Sequence, residues 1–340
     1  MSRSSASRIL PILAPVLAIA AIMGVLFLWM PYSAGYNETR TSVLHAATWL
    51  ATQLDDWQHC LLVPLAAAVI VWLDRKKLAA LPVRGSWSGL PVVIFSLALY
   101  WFGYLADIVY FGYVSAQLTL AGLIILFFGW AWMRALAFPW LFLGFMWPLL
   151  FLDNFLAFPL RVVMSKASVT ALNAIGVAAT LSGTAILSSS DPMVNRPIGA
   201  LFSVDVADPC SGIRSLFALM MVSALYGHFA LRAWWKKWIL FFCAVPLAVL
   251  GNLCRIIMLT FGTIALGSET AIGSIDSSSF FHMLSGYLVF AVAIVGMLII
   301  AKALNADWRA VMRSASNWRV RCETPRAVVA TSRPRHEDAY

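Results

Sequence analysis

Three residues with chemically useful side chains lie at the ends of apolar segments: Cys210, Arg255 and His282. Cys210 directly follows Pro209 and precedes a long apolar run, which predicts a place in the first turn of a helix. Unpaired backbone N–H groups and the positive end of the helix dipole favour a thiolate over a thiol there. The pattern therefore indicates a reactive cysteine.

Together, these three groups could carry out acyl transfer. The thiolate would attack a peptide carbonyl and form a thioester. The imidazole would protonate the departing amine and later deprotonate the acceptor. The guanidinium would stabilise either the thiolate or the oxyanion of the tetrahedral intermediate.

The composition excludes an ordinary soluble globular protein, because 61% of the residues are hydrophobic and only 11% are charged. Apolar runs recur at the length that crosses a bilayer, about 20 residues. We predict an all-α polytopic membrane protein with about eight transmembrane helices and no separate soluble domain. The candidate spans are roughly 9–30, 57–73, 87–106, 116–132, 137–152, 211–231, 238–261 and 283–301.

The basic residues predict the orientation of these spans. With the N-terminus in the cytoplasm, 18 of the 24 Lys and Arg residues fall on the inside, as the positive-inside rule requires. Both termini are then cytoplasmic, and the basic tail is attracted to anionic membrane lipid. The net charge of +9 could suggest nucleic acid, but this distribution argues against such a partner. An alternative is that 14–30 is a cleaved signal sequence, although this run is long for one.

We divide the chain into three parts. Residues 1–54 hold the first span and an outside loop, residues 55–301 form the multi-pass domain, and residues 302–340 form a basic, disordered cytoplasmic tail. Within the second part, 206–290 is the half that carries the candidate site. A long outside segment, 153–208, precedes it and is expected to serve as a lid or substrate platform. Its apolar part could lie along or dip into the membrane, and alternation over 198–207 predicts a short strand.

Helix geometry predicts that the three groups share one depth in the membrane. The sixth span runs inward from Cys210, and the seventh starts near Trp238 on the inside. Arg255 lies 17 residues further along, about 25 Å at 1.5 Å per residue, which places it in the outer leaflet. His282 begins the eighth span at the outer face. We therefore expect one site at the outer rim of the bilayer.

Other interpretations of these residues stay open. Arg255 could pair with a carboxylate, and His282 could be an interfacial histidine without a catalytic role. Arg214 lies one turn after Cys210 on the same helical face, where it could assist the thiolate or bind Asp208 or a lipid phosphate. The outside carboxylates available to Arg255 are Asp205, Asp208, Glu269 and Asp276.

The five cysteines show no CxxC spacing, so neither a disulfide framework nor a zinc site is expected. Cys243 and Cys254 lie within an apolar run and are interpreted as packing residues. No metal or organic cofactor is indicated.

Several motifs resemble those of the exosortase/archaeosortase family of membrane cysteine transpeptidases. Cys210-Ser-Gly-Ile-Arg-Ser215 looks like the family's nucleophile motif. Asn252-Leu-Cys-Arg255-Ile256 resembles its N-x-x-R-I motif, and His282-Met-Leu-Ser-Gly286 its H-x-x-x-G motif. The similarity runs from about residue 55 to 300. Upstream, His59 and Pro64 match an early H-G-x-x-V-P segment, but Cys60 replaces its glycine, which argues against a functional role for His59.

The resemblance implies that Cys210 is the nucleophile and that Arg255 and His282 complete the site. The supporting positions within the matching motifs are Ser211, Gly212, Arg214 and Asn252. It also implies substrates: secreted proteins with PEP-CTERM-like C-terminal signals, composed of a recognition motif, a transmembrane helix and a basic cluster. Such enzymes cut near the motif and are thought to pass the new C-terminus to an acceptor, here unknown. The expected location is a bacterial inner membrane, with the site facing the periplasm.

Two other functional classes compete with this interpretation. The first is a transporter or lipid-binding scaffold in which Arg214 and Arg255 bind an anionic headgroup. The second is a non-catalytic partner that retains the fold. Tolerance of a change at Cys210 would favour either of them over the enzyme.

Overall fold

The computed structural model describes residues 3–35, 39–152, 155, 158–205, 213–274 and 277–306. Within them it is dominated by α-helices. The predicted tail falls almost entirely outside the described residues. The helices are α1 (Arg3–Met23), α2 (Val43–Gln53), α3 (Val63–Leu73), α4 (Arg75–Ala79), α5 (Gly89–Ala106), α6 (Val109–Phe128), α7 (Trp130–Ala135), α8 (Ala137–Phe142), α9 (Phe158–Ala174), α10 (Ile213–Ala230), α11 (Trp234–Leu266), α12 (Ser268–Ala271) and α13 (Phe280–Asn305).

Shorter elements complete the described chain. A π-helical segment, Gly24–Trp29, extends α1, and 3-10 helices cover Asp55–Leu62, Leu143–Met146 and Pro192–Val194. The strands are β1 (Ala179–Ser182), β2 (Ala185–Ser188), β3 (Ser203–Asp205), β4 (Gly273–Ser274) and β5 (Ser277–Ser278).

The predicted class, an all-α polytopic membrane protein, is confirmed. Among the described residues, five helices are long and apolar enough to cross a membrane: Ile12–Trp29, Gly89–Ala106, Val109–Phe128, Trp234–Leu266 and Phe280–Asn305. Three shorter apolar helices correspond to the remaining candidate spans: Trp57–Leu73, Ala137–Met146 and Ser215–Ala230. The orientation of the helices in the membrane stays a prediction.

Three spans differ clearly in extent from their predicted boundaries. The fourth was predicted over 116–132 but is Val109–Phe128, because the helix ends at Gly129, whose φ of 86° is not helical. The seventh is a 33-residue helix, α11, because hydropathy marks the apolar stretch, whereas the helix also includes the tryptophans and lysines that precede it. The fifth was predicted over 137–152 but ends at Met146, with Trp147 already extended. Pro148 follows at once and disfavours a helical conformation for the residue before it. At 10 residues, this helix spans only about 15 Å.

Small residues let α5 and α6 pack closely. A Cβ on Gly89 would lie 2.5 Å from the carbonyl oxygen of Gly122, so the two backbones are nearly in contact there. Further along the pair, the hydroxyls of Ser96 and Thr119 are 2.8 Å apart, and Ser115 donates to the carbonyl of Ser96. Close approach through small and hydroxyl side chains is typical of helices in a bilayer.

Hydrogen bonds fix the antiparallel order of α10, α11 and α13. The side chain of Lys237, in the first turn of α11, donates to the carbonyl of His228 near the end of α10. Asn305, at the end of α13, donates to the carbonyl of Ala230. The end of α10, the start of α11 and the end of α13 thus meet. The start of α10, the last third of α11 and the start of α13 therefore lie together at the opposite end.

The long segment before α10 folds into α9 and a small antiparallel sheet in the order β1-β2-β3. The strand predicted within 198–207 is confirmed for Ser203–Asp205. One face of the sheet is buried, through Ala179, Ile186, Phe202 and Val204. Three of these residues belong to an apolar cluster with Met164 and Leu172 of α9, Ile256 and Leu259 of α11, and Phe281 of α13. The sheet therefore covers the end of the bundle where α11 and α13 carry the candidate residues.

Candidate active site

Arg255 and His282, which are 27 positions apart in the chain, are in direct contact. Nη2 of Arg255 lies 2.8 Å from Nε2 of His282, and His282 is only 9% exposed. A guanidinium can only donate hydrogen bonds, so Nε2 accepts in this contact and the neutral ring carries its proton on Nδ1. Nδ1 is buried and has no hydrogen-bond partner among the residues that the structure describes. In this arrangement the Nδ1–H of His282, a buried donor, points away from the guanidinium.

Ser279 holds His282 at the start of α13. It is the N-cap of this helix, and its Oγ accepts a hydrogen bond from the backbone N–H of His282 at 3.0 Å. The same hydroxyl donates to the carbonyl of Ala271, in α12, at 2.8 Å. The serine therefore ties the first turn of α13 to the connection from α11. Sequence reasoning missed this residue, although a serine before an apolar run is a helix-start signal.

Replacing Ser279 with alanine is expected to lower the free energy of unfolding by about 1 kcal/mol, the usual cost of losing an N-cap. It should also lower activity about tenfold, because a small displacement of a catalytic group is costly. Ser42→Ala is the matched control, since Ser42 caps α2 through the equivalent bond to the N–H of His45. Unfolding in detergent and substrate processing measure the two effects. Equal activity losses in both variants would contradict a positioning role for Ser279.

Gly286 leaves room for the guanidinium of Arg255. It lies four residues after His282, on the same face of α13. A Cβ at this position would already be 3.5 Å from Cζ and Nη2 of Arg255, which is ordinary van der Waals contact. Any longer side chain pointing the same way would press on the guanidinium. Packing against Arg255 thus favours glycine at the last position of the H-x-x-x-G pattern.

Asn252 lies one turn before Arg255 on α11 and is 4% exposed. It lines a small cavity at the crossing of α9, α10 and α11. The other lining residues are apolar: Leu160, Met164, Leu216, Val245, Ala248 and Val249. Asn252 therefore contributes a polar group to the contact between α11 and the helix that follows Cys210.

Cys210, Ser211 and Gly212 lie outside the described residues, as does the side chain of Arg214. The described elements on either side of this segment both adjoin α11: β3 contacts α11, and α10 contacts α11 and α13. Cys210 is five residues beyond Asp205 and three before Ile213.

Of the four carboxylates considered as partners of Arg255, the structure describes the side chain of Glu269. Glu269 is exposed and makes no ion pair in the part of the chain that the structure describes, where the one ion pair joins Lys77 and Asp74. The side chains of Asp205, Asp208 and Asp276 lie outside it. His282 is thus the observed neighbour of Arg255 on α13.

The other described cysteines and His228 differ in their surroundings, and the predicted packing role is not observed for Cys254, which is exposed. Cys60 is 2% exposed and belongs to an apolar cluster with Ala51 and Trp57. Cys243 is half-buried, and Cys254 is exposed. The ring of His228 stacks on Phe138 at 3.8 Å between centroids.

The ring of His59 packs against α10. Its ring is 6.3 Å from that of Phe217 on α10 and nearly parallel to it. Trp57 packs against the same phenylalanine at 5.1 Å. These contacts attach the 3-10 helix before α3 to the first half of α10, which is a packing role for His59.

Comparison with known proteins identifies one family. The family model described as transmembrane exosortase matches residues 49–299, about three quarters of the chain, and includes Cys210, Arg255 and His282. Neither the curated proteins nor the solved structures contain a match.

Proposed function

Because the chain belongs to the transmembrane exosortase family, we propose that it is an integral-membrane cysteine transpeptidase. It cleaves the C-terminal sorting signal of secreted proteins through a thioester and transfers them to an acceptor. Cys210 is the nucleophile, and Arg255 and His282 complete the active site. The chain lies in a bacterial inner membrane, with this site facing the periplasm.

One observation carries the proposal: the 2.8 Å contact between the guanidinium of Arg255 and the buried imidazole of His282. A charged guanidinium within an apolar helix is costly in a membrane and is usually functional. Structural ion pairing is the main alternative, but the neighbour here is a titratable ring that can exchange protons. Both residues lie at the end of the bundle where α10 begins, and Cys210 comes three residues before the described start of that helix.

The reaction uses these groups in two half-reactions. The thiol of Cys210 gives its proton to His282, and the sulfur attacks the scissile carbonyl. Arg255 stabilises the resulting oxyanion. The C–N bond then breaks, the amine leaves with the proton from His282, and a thioester remains. In the second half, His282 takes a proton from the acceptor, which attacks the thioester and releases Cys210.

The Arg255–His282 contact constrains this proton transfer. While Nε2 accepts from Arg255, the ring has no free lone pair, since Nδ1 already carries a proton. To act as a base, His282 must release the guanidinium. Arg255 can then turn towards the sulfur or the oxyanion, where a cation is needed during attack. The observed pair is accordingly the resting arrangement, and substrate binding separates it.

The proposal also assigns a role to each of the three parts of the chain. Residues 1–54 supply the first span and an outer loop, residues 55–301 form the catalytic membrane domain, and residues 302–340 form a basic cytoplasmic tail. The substrate's own membrane helix lies beside this domain, so its cleavage point emerges at the outer rim of the bilayer. The basic cluster of the substrate stays on the cytoplasmic side.

Trapping the thioester tests the proposal directly. The probe is an N-terminally tagged secreted protein from the same genome that carries a motif, a membrane helix and a basic cluster at its C-terminus. Denaturing acid quench of membranes that contain both proteins should yield an adduct with the mass of the enzyme plus the truncated substrate. Hydroxylamine should cleave this adduct, because it attacks thioesters.

The adduct should be absent in Cys210→Ala and present in Cys243→Ala. Cleavage that persists without Cys210, with no adduct in the unaltered protein, would overturn the proposal. A transporter or lipid-binding scaffold predicts that Cys210→Ala retains full function while Arg255→Ala does not.

A further inference from the structure

The small sheet before α10 has one packed face and one open face. Phe202 and Val204 of this segment are buried against the helices, whereas Ser203, which points to the other face, is exposed. On β1, Ser182 is exposed on that same open face. The sheet thus has an open face, and β1 and β3 are its two edge strands.

The outer edge of β3 offers unpaired backbone groups. The N–H of Ser188 donates to the carbonyl of Phe202 at 3.0 Å, and Leu187 lies opposite Ser203. Because hydrogen-bonded and non-bonded pairs alternate in an antiparallel ladder, Ser203 turns its N–H and C=O away from β2. Among the described residues, neither group has a hydrogen-bond partner.

The opposite edge is already occupied. Ala179 of β1 turns its backbone outward in the same way, but the side chain of Asn173 meets both groups. Asn173 accepts from the N–H of Ala179 at 2.8 Å and donates to its carbonyl at 3.1 Å. This amide imitates a neighbouring strand and occupies the β1 edge at Ala179. An added strand would have to displace Asn173 to extend the sheet there, whereas no described group stands in its place beside Ser203.

The open edge lies beside the candidate active site. β3 contacts α11, and the cluster beneath the sheet includes Ile256 and Phe281. These two residues are the sequence neighbours of Arg255 and His282. An added strand would lie about 4.8 Å beyond β3. β3 also leads along the chain to Cys210, five residues after Asp205.

We propose that the outer edge of β3 binds the extended segment of the substrate that precedes the scissile bond, as an added antiparallel or parallel strand. This inference rests on the proposed function, whose substrate it positions. The occupant is the part of the secreted protein between its folded domain and its membrane helix. In an extended conformation, this segment can pair its backbone groups with those that Ser203 turns outward.

Strand addition also defines what is recognised. Backbone hydrogen bonds to Ser203 hold any extended peptide, whereas alternate side chains decide which peptide fits. Side chains of the bound strand would point in turn towards the helices and towards the open face. The sheet thereby fixes the register in which the scissile carbonyl arrives at Cys210.

Ser203→Pro tests this edge. Proline removes the outward N–H but leaves the β2–β3 ladder intact, because an edge position whose N–H faces away from the ladder tolerates proline. The half-saturating level of the tagged secreted substrate should rise about fivefold, the effect of one net backbone hydrogen bond. The maximal rate of processing should change less. Ser203→Ala measures what the hydroxyl alone contributes.

Leu181→Pro is the matched control on the opposite edge of the sheet, formed by β1. Leu181 of β1 also turns its N–H away from β2, since Ser189 donates to the carbonyl of Ala178 and the pairs alternate. Its half-saturating substrate level should equal that of the unaltered protein, even if partial loss of packing lowers its thermal stability. Equal shifts at both edges, or none at Ser203, would overturn strand addition at β3.

A photocrosslinker gives a second measurement that does not require the proline variant to fold. A benzoylphenylalanine at position 203, in the Cys210→Ala background, should crosslink to the segment of the tagged substrate before its membrane helix. The same group at position 182, on the same face of β1, should not. Crosslinking at 182 alone, or at neither position while the thioester still forms in the unaltered protein, would reject this inference and leave the proposed function standing. Absence of the thioester would reject both.

Discussion

Cys210→Ala is expected to lower processing of a C-terminally tagged signal by at least about 10³-fold, because loss of a nucleophile leaves only binding and electrostatic stabilisation. The full-length substrate should accumulate in the membrane fraction and is measured by immunoblotting. Cys243→Ala and Cys254→Ala are matched controls. One side chain is half-buried and the other exposed, so both variants should remain within about twofold of the unaltered protein.

A large loss in either control, or unchanged processing in Cys210→Ala, would contradict the assignment of the nucleophile. The first result would move the reactive thiol to α11, next to Arg255. The second would favour a non-catalytic protein of the same fold. Cys60 is less suitable as a control because it is almost fully buried, and its truncation would create a cavity.

Arg255→Ala and His282→Ala should have large and non-additive effects. Loss of an oxyanion donor typically costs 10²- to 10³-fold in rate, and loss of an acid–base group about 10²- to 10⁴-fold. Since the two side chains contact each other and act in the same steps, the double variant should be about as slow as the slower single variant. Single-turnover rates of processing for the four proteins measure this coupling.

Arg196→Ala serves as the control for loss of one basic residue, because the described hydrogen bonds of Arg196 join its backbone to that of Asp191 and alanine retains them. It should leave the rate within about twofold of the original. Arg255→Lys keeps the charge but loses the planar fork, so it should recover only part of the activity. Two single losses that add fully in free energy would contradict a shared role for Arg255 and His282.

The tertiary contacts explain why the spacing of Ser279, His282 and Gly286 matters for the site. His282 is held by Ser279 through its own backbone N–H, while Gly286 leaves space for Arg255 one turn later. Ser279 and Gly286, which lie on either side of His282 along the chain, thus set the position of the imidazole and of its guanidinium neighbour. The partner residue comes from α11, whose last third is fixed beneath the sheet by Ile256 and Leu259.

Local sequence predicted the membrane helices but not all of their ends. Hydropathy depends on composition over about 20 residues, so each predicted span coincides with an apolar helix. The helix ends depend on backbone hydrogen bonding and on proline. This is why α11 begins at Trp234, within a stretch that hydropathy assigns to the interface, and why the fifth segment stops at Met146, just before Pro148.

The sequence by itself determined the class of this protein and its candidate chemistry, because hydrophobicity, basic residues and motif spacing are local properties of the chain. It placed Arg255 and His282 at similar depth but not in contact, since depth along a helix leaves rotation about its axis undetermined. Only the tertiary structure decided that these helix faces meet, that Asn173 occupies the β1 edge of the sheet at Ala179, and that Ser203 turns its backbone groups outward at the other edge. Those features arise from packing between residues far apart in the chain, which no single stretch of sequence encodes.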